Sequence, residues 1–165
     1  MSLRASCRLI LLLGLSLAVA GCSSGSGLRE GLTLPQAKED TQAVEREIAA
    51  AVPAQLVEAV DQHRKGALLD CDGRRGQSWS GVTVVSIIDD PPPNEVIPRI
   101  VEQLAPKGWP IREDQDDDGD DLLYISGSFG ATWIVRYDRP KGTLRITSAS
   151  ECFRLPLTAW RDADL

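Results

Sequence analysis

Six aspartates between positions 114 and 121 form the densest cluster of candidate ligand atoms in the chain. Asp114, Asp116 and Asp118 followed by Gly119 reproduce the first half of an EF-hand loop, in which alternate carboxylates surround Ca²⁺ and the glycine permits the bend. The second half fails, because the twelfth position is Ile125 rather than Glu and the residues after Gly119 are strand-like. The cluster therefore reads as a solvated hairpin tip whose charges keep an exposed edge from aggregating, with no metal assigned. Nucleophilic catalysis has little to draw on. His63 is the one histidine, set beside Arg64, Lys65 and Gly66 in a predicted turn, and no Gly-x-Ser-x-Gly elbow is present. Walker, dinucleotide-fingerprint and His-Glu-x-x-His patterns are also missing. Asp70, Asp72, Asp89 and Asp90 could supply a carboxylate pair for glycoside hydrolysis, but nothing in the sequence sets their separation. Trp79, Trp109, Trp133 and Trp160 could stack on a sugar, yet Trp79 and Trp133 fall in predicted strands, where a large aromatic is more often core. No catalytic residue and no cofactor is assigned.

The cysteines are more informative. Arg4 and Arg8 precede an apolar run over residues 9–20, too short to span a bilayer but right for a secretory leader. It ends in Val19-Ala20-Gly21-Cys22, which looks like a bacterial lipobox: Cys22 would receive diacylglycerol and an acyl chain such as palmitate, and become residue one. At about 0.8 kcal/mol per buried CH₂, more than one chain holds a protein on the membrane durably. Residues 1–21 are thus expected to be a lipoprotein signal peptide, and residues 22–32, Gly/Ser-rich at the start, a flexible tether. Cys7 leaves with the leader and Cys22 carries lipid, so Cys71 and Cys152 remain and are expected to form a disulfide in an exported protein. The rival, a metal site, is short of ligands with two thiols and one histidine.

Residues 33–165 are expected to be a single α+β domain, large enough for a core of its own. Thr33 and Gln36 have capping-box spacing, and a helix should run from there to about Val52, where Pro53 ends it. Its apolar stripe of Val44, Ile48 and Val52 is narrow, so this helix is expected to cover the domain rather than form its centre. Residues 55–69 read as two short strands around the His63 turn, and the β-branched run from Trp79 to Ile88 as a buried strand. Asn94 is placed as the cap of a second helix, with Pro98 in its first turn. Its broad face of Val96, Ile97, Ile100, Val101 and Leu104 should pack on the sheet. Three more strands follow near 122–126, 132–137 and 144–148. The sum is an antiparallel sheet of about four to six strands with two main helices, one packed on a sheet face.

Cys71-Asp72-Gly73, Gln77-Ser78-Trp79-Ser80-Gly81, Lys107-Gly108-Trp109, Trp133 and Ser150-Glu151-Cys152-Phe153 together resemble small actinobacterial cell-envelope lipoproteins of the LppA-like kind. The resemblance implies a lipid-anchored, disulfide-bonded α+β domain on the extracytoplasmic face of the cell membrane, and it supplies no catalytic motif.

The expected function is a non-enzymatic binding or accessory module at the outer face of the cytoplasmic membrane. The alternative is a small hydrolase or lipid-modifying enzyme acting on cell-envelope material. The formal net charge of −6, falling to −8 once Arg4 and Arg8 leave, disfavours nucleic acid as a partner. The partners expected are the membrane, through the N-terminal lipid, and an amphiphile, lipid or envelope protein. A turn at Arg139-Pro140-Lys141-Gly142 would set Tyr137 opposite Leu144, Val135 opposite Ile146 and Arg136 opposite Arg145. The first two pairs share the face of Trp133. A preceding turn near 128–130 is expected to put Leu123, Ile125 and Ile134 on the opposite face, beside Arg136 and Arg145. That gives a candidate binding face for an anionic amphiphile, or a seat for the first helix.

Overall fold

The computed structural model describes residues 27–71, 76–88, 91–92 and 95–156, so Cys22 and Trp160 lie outside the described residues. The chain runs α1 (Leu34–Ala50), β1 (Val57–Gln62), β2 (Ala67–Asp70), β3 (Gly76–Ile87), α2 (Ile97–Leu104), β4 (Ile111–Gln115), β5 (Asp121–Ser126), β6 (Thr132–Asp138), β7 (Thr143–Ala149) and β8 (Phe153–Arg154). All eight strands belong to one antiparallel sheet, with β1-β3-β7-β6-β5-β4 as its main path. The twelve-residue β3 is its spine. One edge of β3 pairs with β1 and then β2; the other pairs with β7 and then β8. Among the described residues no helix is long and apolar enough to cross a membrane.

The α+β class stands, with more strands than the four to six expected. β4 escaped because its residues Arg112, Glu113 and Asp114 are exposed and charged, as suits a sheet edge that must not recruit other strands. β8 is two residues long, too short to show a period. The register of the last hairpin is as the turn dictates: Tyr137 faces Leu144, Val135 faces Ile146 and Arg136 faces Arg145.

Both helices lie on one face of the sheet. Ile48 and Ala49 of α1 and Ile97, Ile100 and Leu104 of α2 share a core with Val85, Trp133, Val135, Tyr137 and Ile146. The expectation of one core helix and one outer cover is therefore corrected. The stripe that α1 buries runs through Ala37, Thr41, Glu45 and Ile48, and hydropathy does not count residues that are small or satisfied by hydrogen bonds. The Thr33 amide donates to Gln36 Oε1 at 3.1 Å, as the capping spacing requires. For α2 the cap is Val96 rather than Asn94, which lies outside the described residues, and Pro98 does sit in the first turn. Gly108, at φ +68, follows the short 3-10 turn after α2.

Leu123 and Ile125 also require correction. They pair with Val135 and Trp133 across β5 and β6, so they are buried on the core face, and the outer-face partners are Leu122 and Tyr124. The Gly127 amide donates to Ala131 O at 2.8 Å, so the β5–β6 turn lies at 128–130 as expected, but a turn centred there sets Leu123 opposite Val135 and Ile125 opposite Trp133, on the face opposite to the one expected. Ile134 does lie on the outer face, 36% exposed.

Candidate functional site

A groove of about 200 Å³ opens between the first half of α1, the β5–β6 turn and the segment after α2. Its floor is apolar: Leu32, Ala37, Val44, Ala131 and the indoles of Trp109 and Trp133. The two indoles stack, with centroids 5.9 Å apart and planes 13° from parallel. Trp133 Nε1 donates to Thr41 O at 3.3 Å, which joins β6 to the helix across the groove. Lys107 lies over the Trp109 ring, 5.8 Å from its centroid, and its ammonium also meets Glu47 at 2.9 Å. Trp109 is thus already engaged by Trp133 and Lys107, which weakens the reading of the tryptophans as a sugar platform.

The rim carries Arg29, Asp40 and Glu151. Arg29 and Glu151 pair with each other, and the hydrogen bond from Arg29 to Glu151 holds the guanidinium above even its ordinary high value. The Arg29 amide donates to Cys152 O at 2.7 Å, and Arg29 bridges Phe153 in parallel. The fold therefore takes in the end of the expected tether: Leu32 is buried against Ala37, Phe153 and Leu155. Cys152 and Cys71 are bonded, with Cα atoms 6.0 Å apart, as the cysteine count led us to expect.

Of the groove's hydroxyls, that of Thr41 is already engaged, donating to Ala37 O at 2.6 Å. His63 is exposed in the β1–β2 connection, 3.6 Å from Asp61, and is not among the groove residues. Asp70 accepts from Gln77 Nε2 at 2.6 Å, while Asp72, Asp89 and Asp90 lie outside the described residues.

The acidic cluster does form a hairpin tip, between β4 and β5. Asp116 Oδ1 accepts from the amides of Asp118 and Asp120 at 3.0 and 2.9 Å, and Gly119 turns the chain at φ +83. Its cation is internal. The Arg136 guanidinium meets Asp116 at 2.9 Å, Asp118 at 3.2 Å and Asp120 at 2.8 Å. The hydrogen bond to Asp120, then the charges of these aspartates, hold Arg136 above its ordinary value against some desolvation. Among the described residues no three His, Cys, Asp or Glu are arranged to hold a metal ion. Arg145, across the ladder from Arg136, is exposed and has no ion-pair partner among the described residues. Of the candidate binding face, then, Arg136, Arg145 and Ile134 share the outer side, and Arg136 is already neutralised.

Sequence reasoning missed two things. The groove draws on residues from four separate parts of the chain, none in a motif. Glu45 is fully buried, and its carboxylate accepts from Thr83 Oγ1 at 2.7 Å, Gln62 Nε2 at 2.9 Å and the Ser148 hydroxyl. A charged residue at helical spacing from Thr41 and Ile48 was the available signal.

No protein-family model matches this chain. No curated protein matches it. The structure is similar to the crystal structure of a DUF4853 family protein from Actinomyces odontolyticus, with a TM-score of 0.44 and 12% sequence identity. The alignment covers 78% of this chain and 73% of that one, and at such distance it carries no argument about activity.

Proposed function

We propose that this chain is a lipid-anchored envelope lipoprotein, held through Cys22 at the extracytoplasmic face of the cell membrane, and that it is a non-enzymatic binding module. The lipobox pattern at residues 19–22 supports the anchor. The observation that carries the binding reading is the groove, which has an apolar floor and a rim whose Arg29 and Glu151 neutralise each other. A pocket built for hydrolysis gathers unpaired ionisable groups around a reacting atom, whereas this arrangement buries apolar surface of a small group. At about 200 Å³ it is smaller than the roughly 300–1,000 Å³ of drug-sized pockets, and suits one protruding side chain or alkyl group.

Two measurements test the proposal. Cys22→Ala should release the protein from the membrane fraction or block its maturation; an unchanged, detergent-requiring membrane pool would refute the anchor. For the groove, hydrogen exchange in the presence of fractionated envelope extract should slow at residues 41–44 and 127–131, with no new product in the extract. Ser128→Trp, which crowds the rim without entering the core, should abolish the effect. Appearance of a hydrolysed product would overturn the non-enzymatic reading.

A further inference from the structure

The exposed Phe129 lies at the same end of the fold as the place where the chain from Cys22 enters it. The Arg29 amide donates to Cys152 O at 2.7 Å, and the Cys152 amide donates to Phe129 O at 2.8 Å. Arg29 and Phe129 therefore flank one residue as successive hydrogen-bonded neighbours, and two inter-strand spacings place their backbones within about 10 Å. Six residues lie between Cys22 and Arg29, so even a fully extended chain keeps this end of the domain within about 25 Å of a lipid on Cys22.

Phe129 itself is unusual. It is the one described non-glycine residue at positive φ, +48°, a backbone region that favours glycine, and the residue is 37% exposed. The turn that imposes this conformation is closed by Gly127 donating to Ala131 and Ala131 donating to Ser128. Strain of this kind persists where the surroundings over-determine it, and it concentrates at working surfaces. The opposite end of the sheet has the opposite character. Six residues of β5, about 20 Å of strand, separate this turn from the 116–120 tip, where aspartates predominate.

We propose that the 127–131 turn faces the bilayer, with the Phe129 ring seated among the lipid headgroups and the aspartate tip directed away. The proposal rests on the lipid-anchor reading. A single aromatic ring would bind a membrane weakly by itself. A short tether raises its effective concentration at the surface to the millimolar range, which is enough to hold a weak contact closed. The mouth of the groove, lined by Gly127, Ser128 and Arg29, then opens toward the membrane.

The test uses the full lipidated chain in vesicles of phosphatidylglycerol and phosphatidylethanolamine. Ser128→Cys and, separately, Asp118→Cys carry an environment-sensitive fluorophore with Phe129 left in place, and headgroup spin-labelled lipid is the quencher. Quenching several-fold stronger at position 128 than at 118 is expected. Equal quenching at the two positions, in a chain that sediments with the vesicles, overturns the orientation and leaves the anchor standing. A chain that fails to sediment overturns both. As a second readout, Phe129→Gly removes the ring in a residue that suits positive φ. It should abolish the vesicle-dependent slowing of amide exchange at residues 127–131, and persistence of that slowing would also overturn the proposal.

Discussion

Arg136 Nε lies 2.9 Å from Asp120 Oδ2, so a side chain of β6 supplies the positive charge for the acidic turn between β4 and β5. This explains why a half EF-hand pattern sits on a hairpin without the rest of the loop. Three carboxylates need one cation, and the sheet provides it from the neighbouring strand. If so, Arg136→Gln should do more than weaken the hairpin. Thermal unfolding should show a lower Tm for the variant, part of which millimolar Ca²⁺ restores, the affinity range of weak extracellular sites. The unmodified protein should show no such calcium response, and a response of equal size in both would refute the substitution of arginine for metal.

Asp138 gives the protein an acid-side pH dependence of known sign. The hydrogen bond from Lys141 Nζ, assisted by the Lys141 amide, holds the carboxyl below its ordinary value of 3.8 against the opposing effect of desolvation. A depressed carboxyl contributes stability that is present above the unfolded value and lost as pH falls through the folded one. The Tm difference between the native chain and Asp138→Asn should therefore be constant near neutral pH and shrink progressively as the pH falls below the ordinary carboxyl value of 3.8. Because the pair is exposed, added salt should shrink the difference as well.

Glu45 is the residue whose removal should cost most. Glu45→Ala strips the acceptor from the buried hydroxyls of Thr83 and Ser148, while Gln62 Nε2 keeps Gln42 O, and each buried donor left unsatisfied costs about 1–3 kcal/mol. A loss of about 3 kcal/mol or more is expected in urea unfolding. Gly81 belongs to the same site, since a Cβ there would lie 2.3 Å from Trp79 Cη2 and 2.8 Å from Glu45 Oε1. Gly81→Ala should therefore destabilise even though it adds a better strand former.

The parts of this fold legible in the sequence are those where one physical signal dominates. The β-branched run of β3, the capping pair Thr33 and Gln36 and the four-residue turn before β7 each declare themselves locally. The inner placement of Leu123 and Ile125 was also legible: the expected turn at 128–130 pairs them with Val135 and Trp133, so their outward assignment did not follow from the turn itself. The central role of α1 was hidden because its buried stripe includes the Glu45 carboxylate, whose partners lie on β3 and β7, and Thr41, whose hydroxyl donates back to Ala37 O of the same helix. The groove was illegible for a related reason: Arg29 and Glu151 are 122 residues apart, and no spacing rule connects them.

The Cys71–Cys152 bond links β2 to the junction where Arg29 and Phe129 meet. Across a sequence separation of 81, the chain-entropy model assigns such a crosslink about 4.5 kcal/mol, and typical measured values are about 2–4 kcal/mol. The larger consequence should be local. Cys152 both accepts from Arg29 and donates to Phe129, so freeing it loosens the segment that joins the tether to the domain. In the double variant Cys71→Ser with Cys152→Ser, amide exchange should accelerate most at Arg29, Cys152 and the 127–131 turn. The β6–β7 ladder, which rests on the α1 and α2 core, should change only through the global loss of stability. Uniform acceleration over the whole sheet would show instead that the disulfide acts only on the unfolded chain.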